Sequence, residues 1–548
     1  VSCGPAPGQV LVIFTGAIFL FILLCAVVLD VSWYWLNGLR IQRAADAAAL
    51  AGVVYLPGDL PGAIGAAKAE AAKNGYLDGV GGVTVDAQQD PSNPRRMKVT
   101  LSAPVGTFFL RVLGIASLPE SRRAKAEYVL PVPMGSPENY YGVFGPLRKP
   151  NGGADLWRSP NCTPPDAQPR DPYCNLLTPR GLWGTMISQG SENINGDAYL
   201  AKYQIRTSSL NPNYRPSQYY DYAVEMPPGT SNGEVWIFDP VFCATNGSGQ
   251  YGAGDRWFSG TAATSAFYFL YDTNNTLYDT SDDTLVASSG SLFRRVQASD
   301  TNLGGPSGVA SCAPGATNNP ADPRYWHDRW WKLAGGLSGG AAGRIYRIRT
   351  SSTDANSPND QDGANGHNSF AIWTRATGGS PRVYGLGAME AFTPLNGGQA
   401  TTFYFAQIDA VHAGKTMIIN LWDPGDTGNL SASLQILQPT ATGYTAANLS
   451  WSAAWGTTNS NRSSCNGRTG SGTSIVTNTG GSSQFNGCWV TIQIPIPATY
   501  TAPQPPGEPG PGWWKIRYTM GGSSSQNAFD LTTWQVEIRG NPVHLVVP

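Results

Sequence analysis

Val10-Leu-Val-Ile-Phe-Thr-Gly-Ala-Ile-Phe-Leu-Phe-Ile-Leu-Leu-Cys-Ala-Val-Val-Leu29 is a run of twenty residues without a charge. As a helix rising 1.5 Å per residue, it covers the roughly 30 Å hydrocarbon layer of a bilayer. Asp30 ends the run, and Trp33, Tyr34 and Trp35 follow where an interfacial aromatic belt would sit. A secretory signal would have a shorter apolar region, about 7–15 residues, with a small-residue cleavage site behind it. Here the helical pattern instead continues through Arg40, Arg43 and Asp46 into Ala44-Ala-Asp-Ala-Ala-Ala-Leu-Ala51. Residues 1–31 are therefore expected to be a flank and an uncleaved anchor helix. Small side chains let helices approach closely, so the Ala-rich extension is expected to pack against a partner. Arg43 and Asp46, one turn apart, are expected to pair.

Around this run the sequence becomes recognisable. Gly8-Gln-Val-Leu-Val-Ile-Phe14, an apolar helix ending Val28-Leu-Asp-Val31, and Arg40-Ile-Gln-Arg-Ala-Ala-Asp-Ala-Ala-Ala-Leu-Ala-Gly52 resemble the N-terminal segment of TadE/TadG-like proteins. These belong to tight-adherence (Tad, Flp-type) pilus systems of bacteria. The resemblance implies a pilin-like protein inserted in the inner membrane, with its C-terminal part exported or built into an extracellular filament. It implies processing after a glycine, for which Gly8, ahead of Gln9, is the position to test. It also implies assembly with other copies, or with pilus-assembly proteins, along a helix carrying Phe14, Gly16, Phe19, Asp30, Arg40, Arg43 and Asp46. Residues 1–9 contain no Lys or Arg, whereas Arg40 and Arg43 follow the helix. Alone, that bias would keep the C-terminal side in the cytoplasm. The cysteine pattern and the charge-poor body point outward and are given more weight.

Composition shapes the expectation for the remainder. Of 548 residues, 13% are charged, against about 25% in an average globular protein. Gly (65), Pro (42), Tyr (24) and Trp (17) are abundant, which suits short strands joined by tight turns. A net charge of −1 gives no electrostatic footprint for nucleic acid. Cys162 with Cys174, Cys243 with Cys312 and Cys465 with Cys488 are neighbours along the chain and the expected disulfide candidates. Six cysteines allow 15 connectivities, so this pairing is one among several. None has the CxxC spacing of a zinc or redox site.

The expected fold is multi-domain and mainly β. After the anchor, residues 32–137 read as the helix extension, a small α+β domain and a linker. That domain has a helix at about Ala63–Asn74 stopped by Gly75, and strands at Gly82–Ala87, Met97–Ala103 and Ala124–Val132. Gly106–Ile115 is apolar and is read as a short helix. Beyond Pro137, alternating strands are expected at Glu234–Phe238, Ala266–Tyr271, Gly343–Thr350, Thr402–Ile408, Lys415–Trp422, Ser433–Leu437, Trp489–Ile496, Trp514–Met520 and Thr533–Arg539. Tyr203-Gln-Ile-Arg-Thr-Ser-Ser209 recurs as Tyr346-Arg-Ile-Arg-Thr-Ser-Ser352, and Ile237-Phe-Asp-Pro240 as Leu421-Trp-Asp-Pro424. This repeat suggests two jelly-roll-like β-sandwiches, at 138–322 and 323–548.

Catalytic motifs are sought without result. The histidines His327, His367, His412 and His544 form no HExxH pair, and no GxSxG elbow is present. Ala413-Gly-Lys-Thr416 lacks the upstream glycine of a phosphate-binding loop, since residue 409 is Asp. The chain is therefore read as a non-enzyme with no certain cofactor. Asp272, Asn274, Thr276, Asp279, Asp282 and Asp283 offer the hard oxygens that calcium takes; the alternative is an Asx-rich turn. Tyr325-Trp-His-Asp-Arg-Trp-Trp331 and Trp513-Trp514 could stack on sugars, although core packing is the commoner use of Trp. A membrane-tethered adhesin binding cell-surface or host glycans is thus the second functional expectation.

Overall fold

The computed structural model describes residues 7–56, 60–91, 93–128, 132–142, 183–187, 189–204, 210–214, 220–239, 256–259, 266–277, 280–290, 329–352, 365–396, 398–455, 465, 467–523, 527–539 and 543–546. The chain divides into two compact units. One is Val1–Leu130 with Gly540–Pro548, and the other is Pro131–Arg539.

The N-terminal unit is organised on one long helix, α1 (Pro7–Val53), about 70 Å from end to end at 1.5 Å per residue. Its second half belongs to a core. Ile41, Ala44, Ala45, Ala48, Ala49 and Val53 recur at helical spacing and are fully buried. They face a second helix, α2 (Leu60–Lys73), which buries Ala63, Ala67 and Ala71, and an antiparallel sheet. A Cβ on Gly52 would stand 2.8 Å from the Ala63 carbonyl oxygen, so the crossing of α1 and α2 requires glycine there. The Ala-rich stretch thus finds its partner within its own domain. Gly75, at φ 93°, ends α2 as expected, its N–H returning to Ala72 O at 2.9 Å.

The sheet contains β1 (Thr84–Asp90), β2 (Asn93–Gly106) and β3 (Ser117–Tyr128). Met97, Val99, Leu101, Ala103 and Val105 alternate inward along β2. The apolar hairpin tip between β2 and β3 forms only a short 3-10 turn, Leu110–Leu113. The fourth strand is Val543–Val546, antiparallel to β3 with Val543 opposite Tyr128. These residues, assigned from the sequence to the second sandwich, instead complete the N-terminal sheet by covering the outer edge of β3. The whole of Pro131–Arg539 is therefore inserted between β3 and this last strand.

The body is antiparallel β throughout its named strands, and each of the nine expected body strands overlaps an observed one. One long sheet runs in the order Arg329–Leu337, Ser231–Asp239, Asn365–Thr377, Trp183–Ile187, Ala388–Asn396, Asn527–Ile538, Thr416–Trp422, Cys488–Pro495, Leu449–Trp455, Thr469–Gly472. Two shorter sheets accompany it. The first is Thr284–Ser288, Phe267–Asp272, Arg344–Ser351, Tyr220–Met226, Arg382–Leu386; the second is Ala400–Gln407, Trp513–Met520, Ser431–Pro439, Tyr444–Ala446, with Ile475–Thr479 also on Ser431–Pro439. Phe370 of the long sheet meets Tyr222 and Tyr268 of the first short sheet, at 5.5 and 5.6 Å between ring centres. Trp534 meets Phe403 and Phe405 of the second, both at 5.9 Å. Two-layer packing thus occurs twice.

The boundary between the halves is not at 322/323. Arg329–Leu337 pairs with Ser231–Asp239, and Arg344–Ser351 lies between Tyr220–Met226 and Phe267–Asp272. Strand pairing changes partners at Gly387, φ 71°, after Arg382–Leu386. The repeat misled because Tyr346 lies within a strand, whereas Tyr203 makes only isolated bridges to Glu192 and Leu210. Nor are the halves independent. The long sheet crosses the boundary through Ala391 opposite Gly184 and Phe392 opposite Trp183.

Candidate membrane and assembly interface

Two environments divide α1. Among the described residues it is the one helix long and apolar enough to cross a membrane. From Val10 to Leu29 nearly every side chain is exposed, Phe14 and Phe19 (72%) among them. Gly16 has nothing within 4 Å of the place a Cβ would take. Burying such a surface, in lipid or against other helices, is what stabilises it.

The change of environment occurs at Asp30. This residue is only 4% exposed, and its carboxylate accepts the backbone N–H groups of Phe108 (2.7 Å), Phe109 (3.0 Å) and Leu110 (2.7 Å). These amides open the 3-10 turn and have no partner within it. The Trp33 ring meets Phe108 edge-on at 5.3 Å, and Tyr34 hydrogen-bonds Glu120 through its hydroxyl. A Cβ on Gly38 would stand within 3 Å of Arg122 and Glu120, so the helix lies tight against the start of β3. The β2–β3 hairpin tip is therefore tied to α1 where its charge-free run ends. Sequence reasoning took Asp30 as a punctuation mark and missed this contact. The available signal was an acid alone at the edge of an apolar run, because a carboxylate removed from water needs donors. Of the expected aromatic belt, Trp35 is exposed while Trp33 and Tyr34 are half-buried.

The seven expected assembly positions do not form one patch, being spread over about 50 Å of helix. Phe14, Gly16 and Phe19 lie on the exposed half. Arg40 is exposed and stacks over Trp33 at 5.5 Å, and Arg43 is exposed. Asp46, expected to pair with Arg43, accepts instead from Gln42 Nε2 at 2.8 Å. Gly8 and Gln9 fall in the first turns of α1, and nothing beyond their backbone is described.

The acidic turn of the body is held by its own protein donors. Asp272 accepts from Arg344 Nε at 2.8 Å, and Asp283 from Arg347 Nε at 2.9 Å. Thr276 donates to the Asp282 carboxylate at 2.7 Å, and Asn274 Nδ2 to the Asp282 carbonyl at 2.7 Å. Asn274 and Asn275 have positive φ, which Asn tolerates in tight turns. Asp279 lies outside the described residues. Arg347 also reaches Asp221 (3.0 Å) and the Leu277 carbonyl (2.6 Å), so this arginine network locks the turn onto the sheet. Burial pushes the Asp283 carboxyl upward, against the opposing pull of Arg347.

Of the disulfide candidates, Cys465 and Cys488 are bonded and buried, with Cα atoms 6.0 Å apart. Cys162, Cys174, Cys243 and Cys312 lie outside the described residues. Trp513 and Trp514 are buried, Trp514 donating to Tyr500 Oη at 3.0 Å, and Trp331 is half-buried against the core. Tyr325–Asp328 are outside the described residues. His367 is buried with Nδ1 3.3 Å from Thr185 Oγ1, and His412 is buried beside the Ala413 turn.

A second polar centre, unforeseen in the sequence, seals the junction of the two halves. Asp197, in the loop before Tyr220–Met226, and Glu390, in Ala388–Asn396, are both fully buried and close to each other. Asp197 accepts from Tyr199 N, Leu200 N (both 2.8 Å) and Tyr220 Oη (2.9 Å). Tyr220 Oη also lies 3.2 Å from Thr533 Oγ1, which donates to the Gly196 carbonyl at 3.0 Å. Burial raises both carboxyls, and the charge of Asp197 raises Glu390 further. Enclosed on all sides, the pair acts as a structural joint.

No curated protein matches this chain. Residues 8–66, which span the exposed half of α1, its packed half and the first turns of α2, match the family described as putative Flp pilus-assembly TadE/G-like. The chain thus carries a TadE/G-like segment at its N-terminus, the association its sequence suggested and one that connects it with Tad pilus systems.

Proposed function

We propose that this chain is a large, pilin-like structural subunit of a Tad-type bacterial surface pilus, anchored by α1 in the inner membrane before assembly and carrying its body outside the cytoplasm. The observation that supports this best is the division of α1: one half is core of its own domain, the other is bare and apolar. In a bilayer lipid covers the bare half; outside it, the same surface needs the helices of neighbouring copies. The insertion of the body between β3 and the last strand fits a compact anchored domain that displays a large decoration. The body acts as scaffold or display surface, and catalysis is no part of the reading.

The test is to shear surface appendages from cells and image them with an antibody to the body. Labelled filaments are the expected result; filaments lacking the chain, with the protein confined to the membrane, overturn the subunit reading. A Phe19→Asp variant sharpens it. An acid at the centre of a spanning helix opposes insertion by about 3 kcal/mol, so the variant should insert less efficiently and be depleted from filaments, where the charge would also lie between packed helices.

A further inference from the structure

The β2–β3 hairpin tip carries Phe108, Phe109, Leu110, Arg111, Val112, Leu113 and Ile115 in eight residues. Val112 is 86% exposed and Leu113 70%, and Phe108, Phe109 and Ile115 are exposed as well. Isolated surface hydrophobes are ordinary, but five in one short tip form a contiguous patch that water solvates poorly. The tip does not wander: three backbone bonds to Asp30 and the Trp33–Phe108 contact hold it beside α1. Asp30 directly follows the twenty-residue apolar run, so a bilayer spanned by Val10–Leu29 has its outer boundary at the level of this tip.

We infer that the hairpin tip is a second membrane contact, a wedge whose Val112 and Leu113 enter the headgroup–acyl boundary of the bilayer that α1 crosses, with Arg111 at the depth of the lipid phosphates. The inference rests on the anchored reading of α1. Lipid is favoured over a protein partner because the patch continues the bare helix surface, its anchor lies at the end of the apolar run, and exposed Trp35 lies five residues further along α1. Apolar side chains flanking an arginine, next to a tryptophan at the end of an apolar run, are the ordinary composition of segments that lie in the interface. Asp30 supports this by satisfying three amides that would otherwise meet hydrocarbon unpaired.

The test uses the full chain in vesicles of phosphatidylethanolamine and phosphatidylglycerol. An environment-sensitive fluorescent amino acid is placed at position 113, at 19 as a reference within the span, and at 54 as a reference in water. Val54 is exposed and lies about 35 Å along the helix axis from Asp30. Lipids brominated near the glycerol or near the chain end report depth. The expected result at 113 is blue-shifted emission quenched more by the shallow bromines, with quenching at 19 stronger for the deep ones and none at 54. If 19 is quenched and 113 behaves like 54, the wedge is refuted while the anchor stands. If 19 also escapes quenching, the anchored reading fails first. A blue shift at 113 that appears only on filament formation, without lipid quenching, assigns the tip to a neighbouring copy and overturns the proposal. Val112→Asp with Leu113→Asp checks the cause: these side chains cover none of the domain core, so the domain should stay folded while emission from a probe at 109 shifts back to the red.

Discussion

The N-terminal unit and the body handle apolar surface in opposite ways. In the N-terminal unit the core of α1 is mostly alanine, with Ile41 and Val53 at its ends, and the large apolar residues Phe14, Phe19, Phe21 and Leu23 are exposed. In the body the largest side chains are inside: Trp422, Trp513, Trp514, Tyr141, Tyr220, Tyr222 and Tyr268 are fully buried. A body arranged this way is built for water. A helix arranged the other way is built for a medium or a neighbour that supplies the missing contacts. Small residues inside α1 allow the close crossing with α2, and so leave the bulky ones free for use elsewhere. Each unit should therefore fail separately when its own device is removed.

The largest such effect is expected at Trp422. Replacing it with Ala removes a fully buried indole and takes from the Asn193 carbonyl one of its two donors, Trp422 Nε1 at 2.6 Å, leaving the Gly196 N–H at 3.1 Å. A loss of about 3–5 kcal/mol in the stability of the body follows from large-to-small core changes. Denaturant unfolding of the full chain in detergent, read by tryptophan fluorescence, should show it, while resistance of the protein to alkaline extraction from membranes stays as before. Loss of membrane retention with this variant would remove the separation of roles.

Gly52→Leu attacks the other unit. Its side chain would be forced onto the Ala63 carbonyl and Ala67, and overpacking of this kind costs about 1–3 kcal/mol. Hydrogen exchange should quicken in α1 after residue 40, in α2 and in β2, with the body strands unchanged. Gly65→Ala, where no atom lies within 4 Å, should instead stabilise α2 by about 0.5–1 kcal/mol.

The same contrast explains what could be read from the sequence. Local, periodic signals carried α1, α2, Gly75 and the alternating strands, since burial at spacing 3.6 or 2 leaves a direct trace. Pairing between distant segments left none. Trp183–Ile187 lies between two strands more than 180 residues further on, and Val543–Val546 returns across the whole body to β3. The repeated Tyr-x-Ile-Arg-Thr-Ser-Ser suggested a boundary because like sequences were taken to have like places. Arg347 of the second copy is in fact fixed by Asp221 and Asp283 within the first half. At the interface the bare helix was legible, whereas the link from Asp30 to the hairpin tip depended on residues 78–80 positions away.

The junction of the two halves offers a chemical way to separate them. Burial holds Glu390 above its ordinary value of 4.5, and Asp197 is shifted in the same direction. The folded state therefore keeps a proton that the unfolded chain releases at lower pH. The stabilisation is full below about 4, where both states are protonated, and falls as pH rises through the raised folded values. Glu390→Gln keeps the shape without the proton, so its stability should vary less with pH over that window. Parallel pH dependence in the two proteins would show that the pair does not govern the slope. Asp530, also raised by burial, retains its own contribution in both.

The smallest effect on folding is expected where exposure is greatest, and there the two regions are told apart most sharply. Phe19→Ala removes a ring that is 72% exposed in the isolated chain, so unfolding in detergent should change by no more than about 0.5 kcal/mol. One alanine does not stop an apolar run of this length from crossing a bilayer, so membrane retention should also persist. If the exposed half of α1 serves only as an anchor, the variant should be silent in every assay. If it packs against neighbouring copies after leaving the membrane, the lost ring leaves a gap at each contact along the filament. The number or length of sheared filaments should then fall while the amount of membrane-bound chain stays level. Filament loss with intact folding and anchoring would separate assembly from insertion on a single helix, because lipid adapts to a missing ring and a packed neighbour does not.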